Sequence, residues 1–344
     1  MDANALLRRM VDIPSTSRAE GALAAFLVEH MRTLGFQAEV DAAGNAVGIL
    51  GAGAETVVLL GHMDTVAGQP PVRIADGKLY GRGSVDAKGA LAAFIVAAAA
   101  AGPRPDRRLV VVGATEEETA TSKGAHYVAD SFTPTACVIG EPSGVDAVTL
   151  GYKGRIVLAY EGRGAAAHSA GLREGTLEEG VAFWHRLQAW AEAASAGKPM
   201  FERIDPALRE IQSRHDGLTE SIALTASIRI PPGLTPAEVQ RMVERLRGDR
   251  GTLRFWGADP PFRAPKNTPL VRAFLRAIRE SGREPSFKLK SGTSDMNVVG
   301  PRWGCPILAY GPGDSRLDHT PDEHLDLEEY NRAITVLTRV LTLL

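Results

Sequence analysis

The chain has 344 residues, 39 Lys plus Arg against 41 Asp plus Glu, and two Cys. That length suggests about two domains with a sizeable core, and a formal charge of -2 gives no reason to expect nucleic acid or an anionic membrane as partner. Cys137 and Cys305 are too few for a disulfide scaffold or a Cys-based zinc finger, and two reduced, buried thiols in a cytoplasmic enzyme are the expectation.

Asp2, Arg8, Arg9 and Asp12 interrupt the N-terminus where a signal peptide needs an apolar core. Apolar spacing predicts helices over 4–11 and 21–33, with Gly35 as a stop. Then a pattern recurs, in which a short apolar run ends in residues able to do chemistry. Residues 57–60 lead into Gly61, His62 and Asp64. Residues 90–101 read as a helix buried all round, well short of the roughly 20 residues that span a bilayer. Residues 109–112 lead into Gly113 and Glu116-Glu117-Glu118, and 136–139 into Gly140 and Glu141. Residues 306–310 lead into Gly311 and on to His319.

Strands alternating with helices predict an α/β fold with a sheet covered on both faces. Ligands in such sheets lie beyond the carboxyl ends of the strands. Four strands therefore aim these residues at one rim. The middle differs: strands over 156–161 and 222–230, helices over 177–194 and 236–246, loops over 160–175 and 192–217. This reads as an α+β domain at 148–259, inserted between 1–147 and 260–344.

His62 and Asp64 are two apart on a strand and share a side. With Asp86, Glu117, Glu118, Glu141 and His319 they supply nitrogen and oxygen donors and no thiolate. Such a set suits zinc or cobalt with open positions. Singly, each has a plain alternative. The Glu triplet is also an ordinary solvated charge run, Glu141 a turn residue and Asp86 a helix cap. Ligand types at four successive strand ends favour a metal site.

With these residues in place, the chain resembles the M20 family of dinuclear zinc peptidases and amidohydrolases. The marks are Gly61-His-Met-Asp-Thr-Val66, Gly81-Arg-Gly-Ser-Val-Asp-Ala-Lys-Gly89, the Glu triplet, Gly140-Glu-Pro-Ser143, Ala167-His-Ser169 and His319. The resemblance implies a zinc-peptidase-like catalytic domain, a mixed sheet flanked by helices, with an inserted dimerisation and lid domain. It implies two Zn2+ per subunit, with Co2+ as the other candidate: one on His62, Asp86 and Glu141, the second on Asp86, Glu118 and His319. Asp64 would orient His62, and Glu117 would be the general base. The family's Asp-Glu-Glu pattern fits 116–118, and a shift to Glu116 and Glu117 stays open because the next segment is one residue longer. His324 is a rival to His319, although the family pattern favours the His before Pro-Asp-Glu. His168 would assist the oxyanion across a homodimer. Arg229 and Ser291, Gly292, Thr293 and Ser294 fall where the family contacts the substrate carboxylate, as Arg does well.

Three stretches narrow the resemblance: 151–155, 288–297 and 310–314. They look most like hydrolases that release lysine or ornithine from a small acidic amino-group carrier protein. Residues 263–302 carry nine Lys plus Arg against three acids, and such a basic face would steer an acidic partner. An amphipathic solvated helix over 270–279 is the plainer reading. The alternative activity is a small-molecule N-acyl amino acid deacylase, or a dipeptidase or carboxypeptidase.

Overall fold

The computed structural model describes residues 2–166 and 175–344. The chain divides into two compact units. One comprises Met1–Gly151, Arg263–Leu289 and Ser294–Leu344; the other comprises Tyr152–Phe262 and Lys290–Thr293. The sequence reading set the insertion at 148–259. Residues 290–293 join the second unit through two ties: the Lys153 N–H donates to the Lys290 carbonyl, and the Arg229 side chain donates to the Thr293 hydroxyl.

The first unit is built on a nine-stranded mixed sheet. Its centre runs Arg107–Ala114, Glu55–His62, Ala136–Gly140 and Ile307–Ala309, all parallel. Antiparallel strands Gln37–Val40 and Ala46–Gly51 form one margin. Consecutive residues of the central strands are buried, so both faces are covered.

The helix Lys88–Ala101 is buried along most of its length, as its Ala-rich sequence requires. It also explains the glycine that ends each strand run. Gly61 sits in register with Gly113 on one side and Gly140 on the other. A Cβ on Gly61 would stand 3.3 Å from Leu91 Cβ, and one on Gly140 only 2.9 Å from Phe94 Cε2. At Gly311 it would meet Ala90 Cβ at 2.7 Å. The strands lose their side chains where this helix crosses, and at Gly61 and Gly140 the next residue is a ligand type, His62 and Glu141.

The second unit is a four-stranded antiparallel sheet, ordered Asp205–His215, Thr219–Ile230, Gly154–Ala165, Gly251–Asp259. Helices Thr176–Ser195 and Pro236–Leu246 supply Phe183, Leu187, Val239 and Val243 to its core. The second begins with Thr235 and Glu238 in a capping box and Pro at its first turn. Two expected loops are corrected. The strand expected to end at 161 continues to Ala165, and Asp205–His215 is a strand inside the loop expected at 192–217. That strand is an edge whose residues are exposed after the first two, so it carries no buried alternation to read.

Both cysteines are free; Cys137 is buried, but Cys305 is only half-buried, against the expectation for it. Among the described residues no helix is long and apolar enough to cross a membrane.

Candidate metal centre

The ligand-type residues arrive as the strand ends deliver them. His62 closes Glu55–His62, the Glu triplet follows Arg107–Ala114, and Glu141 follows Ala136–Gly140. Asp86 precedes Lys88–Ala101, whose capping position is Ala87, so Asp86 is not its cap. His319 follows the short turn Ser315–Leu317.

Two clusters result. His62, Glu117 and Glu141 bring donor atoms within 4.8 Å of one another, as do Asp86, Glu118 and His319. The resemblance assigned Asp86, not Glu117, to the first trio. Asp86 in fact stands between both. Its Oδ1 lies 3.2 Å from His62 Nε2, and its Oδ2 lies 3.1 Å from His319 Nε2. One carboxylate thus turns an oxygen to each histidine. Glu118 Oε1 is 2.9 Å from His319 Nε2, and Glu141 Oε1 is 3.9 Å from His62 Nε2.

The Glu triplet has a defined register. Glu116 turns away: its carboxylate accepts from Thr121 Oγ1 at 2.7 Å and faces Arg18 at 3.6 Å. Its φ of 58° lies in the left-handed region. Glu117 and Glu118 then fall one into each cluster. His324 belongs to neither; its ring packs on Tyr80 at 4.8 Å and its Nδ1 is 2.7 Å from the Asp322 carbonyl.

Asp64 has a larger task than the one expected. His62 Nδ1 lies 3.0 Å from the Asp64 main-chain carbonyl and 3.6 Å from its carboxylate. The fully buried carboxylate accepts the N–H of Glu117 and of Glu118, each at 3.0 Å, and the Ser17 hydroxyl at 2.7 Å. It therefore fixes the main chain that carries both glutamates. Sequence reasoning missed Ser17, 47 residues away, and also the buried pair Arg82–Glu323. Arg82 lies within the Gly81–Gly89 motif and Glu323 within Pro-Asp-Glu, which were the available signals.

The electrostatics are those of a site crowded with like charge. Burial raises the Glu117 carboxyl well above the ordinary range; Glu141, Asp295 and Glu118 add to the rise, and His62 opposes it. Burial disfavours the charged form of His62, but Asp64, Asp86 and Glu117 outweigh it and push its pKa well up. Hydrogen bonds to Asp86 and Glu118 push His319 up to about 10. Asp86 is held below the ordinary range: its burial is outweighed by both histidines. Positive charge is thus favoured at both clusters, and divalent cations supply it better than protons. The all-nitrogen-and-oxygen donor set fits zinc or cobalt.

The expected substrate contacts divide. Arg229 Nη1 donates to Thr293 Oγ1 at 2.9 Å, joining two segments far apart in sequence. Ser291 and Gly292 are half-buried beside them. Ser294 is buried, and its hydroxyl accepts the Met296 N–H at the start of helix Met296–Trp303. His168 lies outside the described residues.

Residues 58–343 match Peptidase family M20/M25/M40. A protein of Deinococcus radiodurans named "[LysW]-lysine hydrolase" is 48% identical, over 99% of this chain and 96% of its own. The fold is shared with a tripeptidase from Staphylococcus aureus (17% identity, TM-score 0.81, 99% of this chain and 97% of that one). It is also shared with a dinuclear metal binding M20 peptidase from Bacillus subtilis (11% identity, TM-score 0.71, 99% and 96%). A mixed sheet delivering two histidines and shared carboxylates to one rim accords with these matches: the chain belongs to peptidase family M20/M25/M40, a family of metal-dependent hydrolases.

Proposed function

We propose that the chain hydrolyses the amide linking the α-amine of lysine or ornithine to the C-terminal glutamate of a small acidic amino-group carrier protein. The observation that carries the hydrolytic reading is Asp86, set between His62 and His319 with Glu117 in the adjoining cluster. The substrate rests on the relative named "[LysW]-lysine hydrolase". His62, Asp86 and Glu141 would hold one Zn2+, and Asp86, Glu118 and His319 a second. Such ions polarise the scissile carbonyl and acidify water when bound.

The chain's own residues then have separate tasks. Glu117 takes a proton from the attacking water, whose oxygen ends on the carrier's glutamate. The C–N bond breaks, and Glu117 returns the proton to the leaving α-amine. Burial favours the protonated form of the Glu117 carboxyl, which suits it to hold that proton between the two steps. Asp64 keeps Glu117 in place through its main chain. Arg229 and Thr293, with Ser291 and Gly292, would bind the α-carboxylate of the released amino acid. The homodimer, the role of His168 and a cytoplasmic location rest on the family resemblance alone.

The test is Glu117→Gln, which keeps the shape and removes the base. Turnover is expected to fall by about 10²–10⁴ while metal content is retained. Full activity would refute the base assignment.

A further inference from the structure

We infer that the buried Arg82–Glu323 ion pair is a positioning device that sets Asp86 against His319, and so governs occupancy of the Asp86–Glu118–His319 cation position. The inference rests on the two-cation reading above. The pair is 2.7 Å long, with the Glu323 side chain wholly buried and that of Arg82 only 6% exposed. Glu323 Oε1 accepts the N–H of Val85 at 3.1 Å and of Asp86 itself at 3.2 Å. Its main-chain carbonyl accepts the Gly81 N–H. Glu323 thus grips the segment 81–86 at both ends.

Arg82 reaches the other way. Its Nη2 donates to the His319 carbonyl at 3.4 Å, and its Nε to the Gly68 carbonyl at 3.0 Å. His319 needs such support, because its φ of 61° is a conformation that a residue with a Cβ keeps only when its surroundings hold it. The pair therefore ties the main chains of two ligands of one cluster, from segments more than 230 residues apart. In the two-cation reading Asp86 serves both ions, whereas His319, whose main chain Arg82 holds, serves only one. Loosening the pair should therefore act on one cation position more than on the other.

The variants are Glu323→Gln and Arg82→Lys. Gln keeps an acceptor for Val85 and Asp86 but leaves Arg82 without its ion pair. Lys keeps the charge but loses the second nitrogen that reaches His319. Metal-stripped proteins are titrated with Zn2+ against a chromophoric chelator. The absorption of the Co2+ form reports coordination, and thermal unfolding of the metal-free proteins reports folding. Wild type is expected to take two ions. In the variants one of the two ions should bind about 10–100-fold less tightly, with the other weakened much less and the Co2+ spectrum altered. Equal weakening of both ions, or of neither, overturns the inference while leaving the two-cation reading intact. Fewer than two ions on wild type overturns that reading itself. If Glu323→Gln does not fold, Arg82→Lys carries the test.

Discussion

Asp64→Asn is the perturbation that most directly reads how the site is built. The wild-type carboxylate is fully buried and accepts three hydrogen bonds, from Glu117 N, Glu118 N and Ser17 Oγ. Asn offers one oxygen in place of two, and its amide N–H₂ would face an N–H of the Glu117-Glu118 turn. Ser17 can rotate to accept; the main chain cannot. One charge-assisted bond is lost and another loses its charge, at about 1.5–3 kcal/mol for the first, so the total cost is roughly 2–4 kcal/mol. The glutamates themselves also shift, and a displacement near 1 Å costs about 10²-fold in rate. Urea unfolding of the metal-free proteins measures the first effect, and kcat of the metal-loaded proteins the second. The pH dependence supplies a control. Burial raises the Asp64 pKa, but His62, Ser17 and the Glu118 N–H outweigh it and leave it below the ordinary value. A depressed folded pKa gives stability that is present above the unfolded value and lost as pH falls through the folded one. The gap between wild type and Asn should therefore close in strong acid. A stability loss under about 0.5 kcal/mol, with kcat unchanged, would refute the role given to Asp64.

In the metal-free protein His319 keeps its proton up to about pH 10. Its raised pKa stabilises the fold below the ordinary histidine value, and that contribution is lost as pH rises through about 10. Cation binding must displace the same proton, so Zn2+ affinity should rise between pH 6 and 9 with measurable proton release; a flat profile would contradict this. Gly140→Ala places a Cβ 2.9 Å from Phe94 Cε2 and 3.1 Å from Gly61 Cα. It should cost about 1–3 kcal/mol in chemical unfolding, and a neutral result would mean the helix can move away. Arg272, Arg276 and Arg279 are exposed on helix Pro269–Glu280, although Arg276 shares Glu280 with Arg339. Their joint replacement by Ala should raise KM for carrier-linked lysine far more than for a small acyl-lysine, and equal shifts would remove the basic face as a docking surface.

Much of the fold was legible because its centre obeys local rules. Buried parallel strands read as continuous apolar runs, and each ended in a glycine before its ligand-type residue. The helix 236–246 was legible as a helical stretch, and the structure opens it with Thr235, Pro236 and Glu238. Asp205–His215 escaped because it is an exposed edge strand held by its ladder to Thr219–Ile230, not by burial. At the site, residue types and their order pointed to His62, Asp86, Glu118, Glu141 and His319. What joins them did not appear in the pattern. The grip of Asp64 on the Glu117-Glu118 main chain, and that of Glu323 on Asp86, are contacts across 53 to 237 residues made to backbone groups that every residue carries. The triplet's register likewise depends on the left-handed turn at Glu116, a conformation its side chain gives no reason to expect.

The central claim is tested most directly by offering the zinc-loaded enzyme one panel of amides. It would contain carrier-linked lysine, carrier-linked ornithine, N-acetylornithine, succinyl-diaminopimelate and several dipeptides, compared by kcat/KM. The expected result is release of lysine or ornithine from the carrier at the highest kcat/KM, lost in Glu117→Gln. Faster cleavage of the acetylated or succinylated compounds, or of the dipeptides, would contradict it.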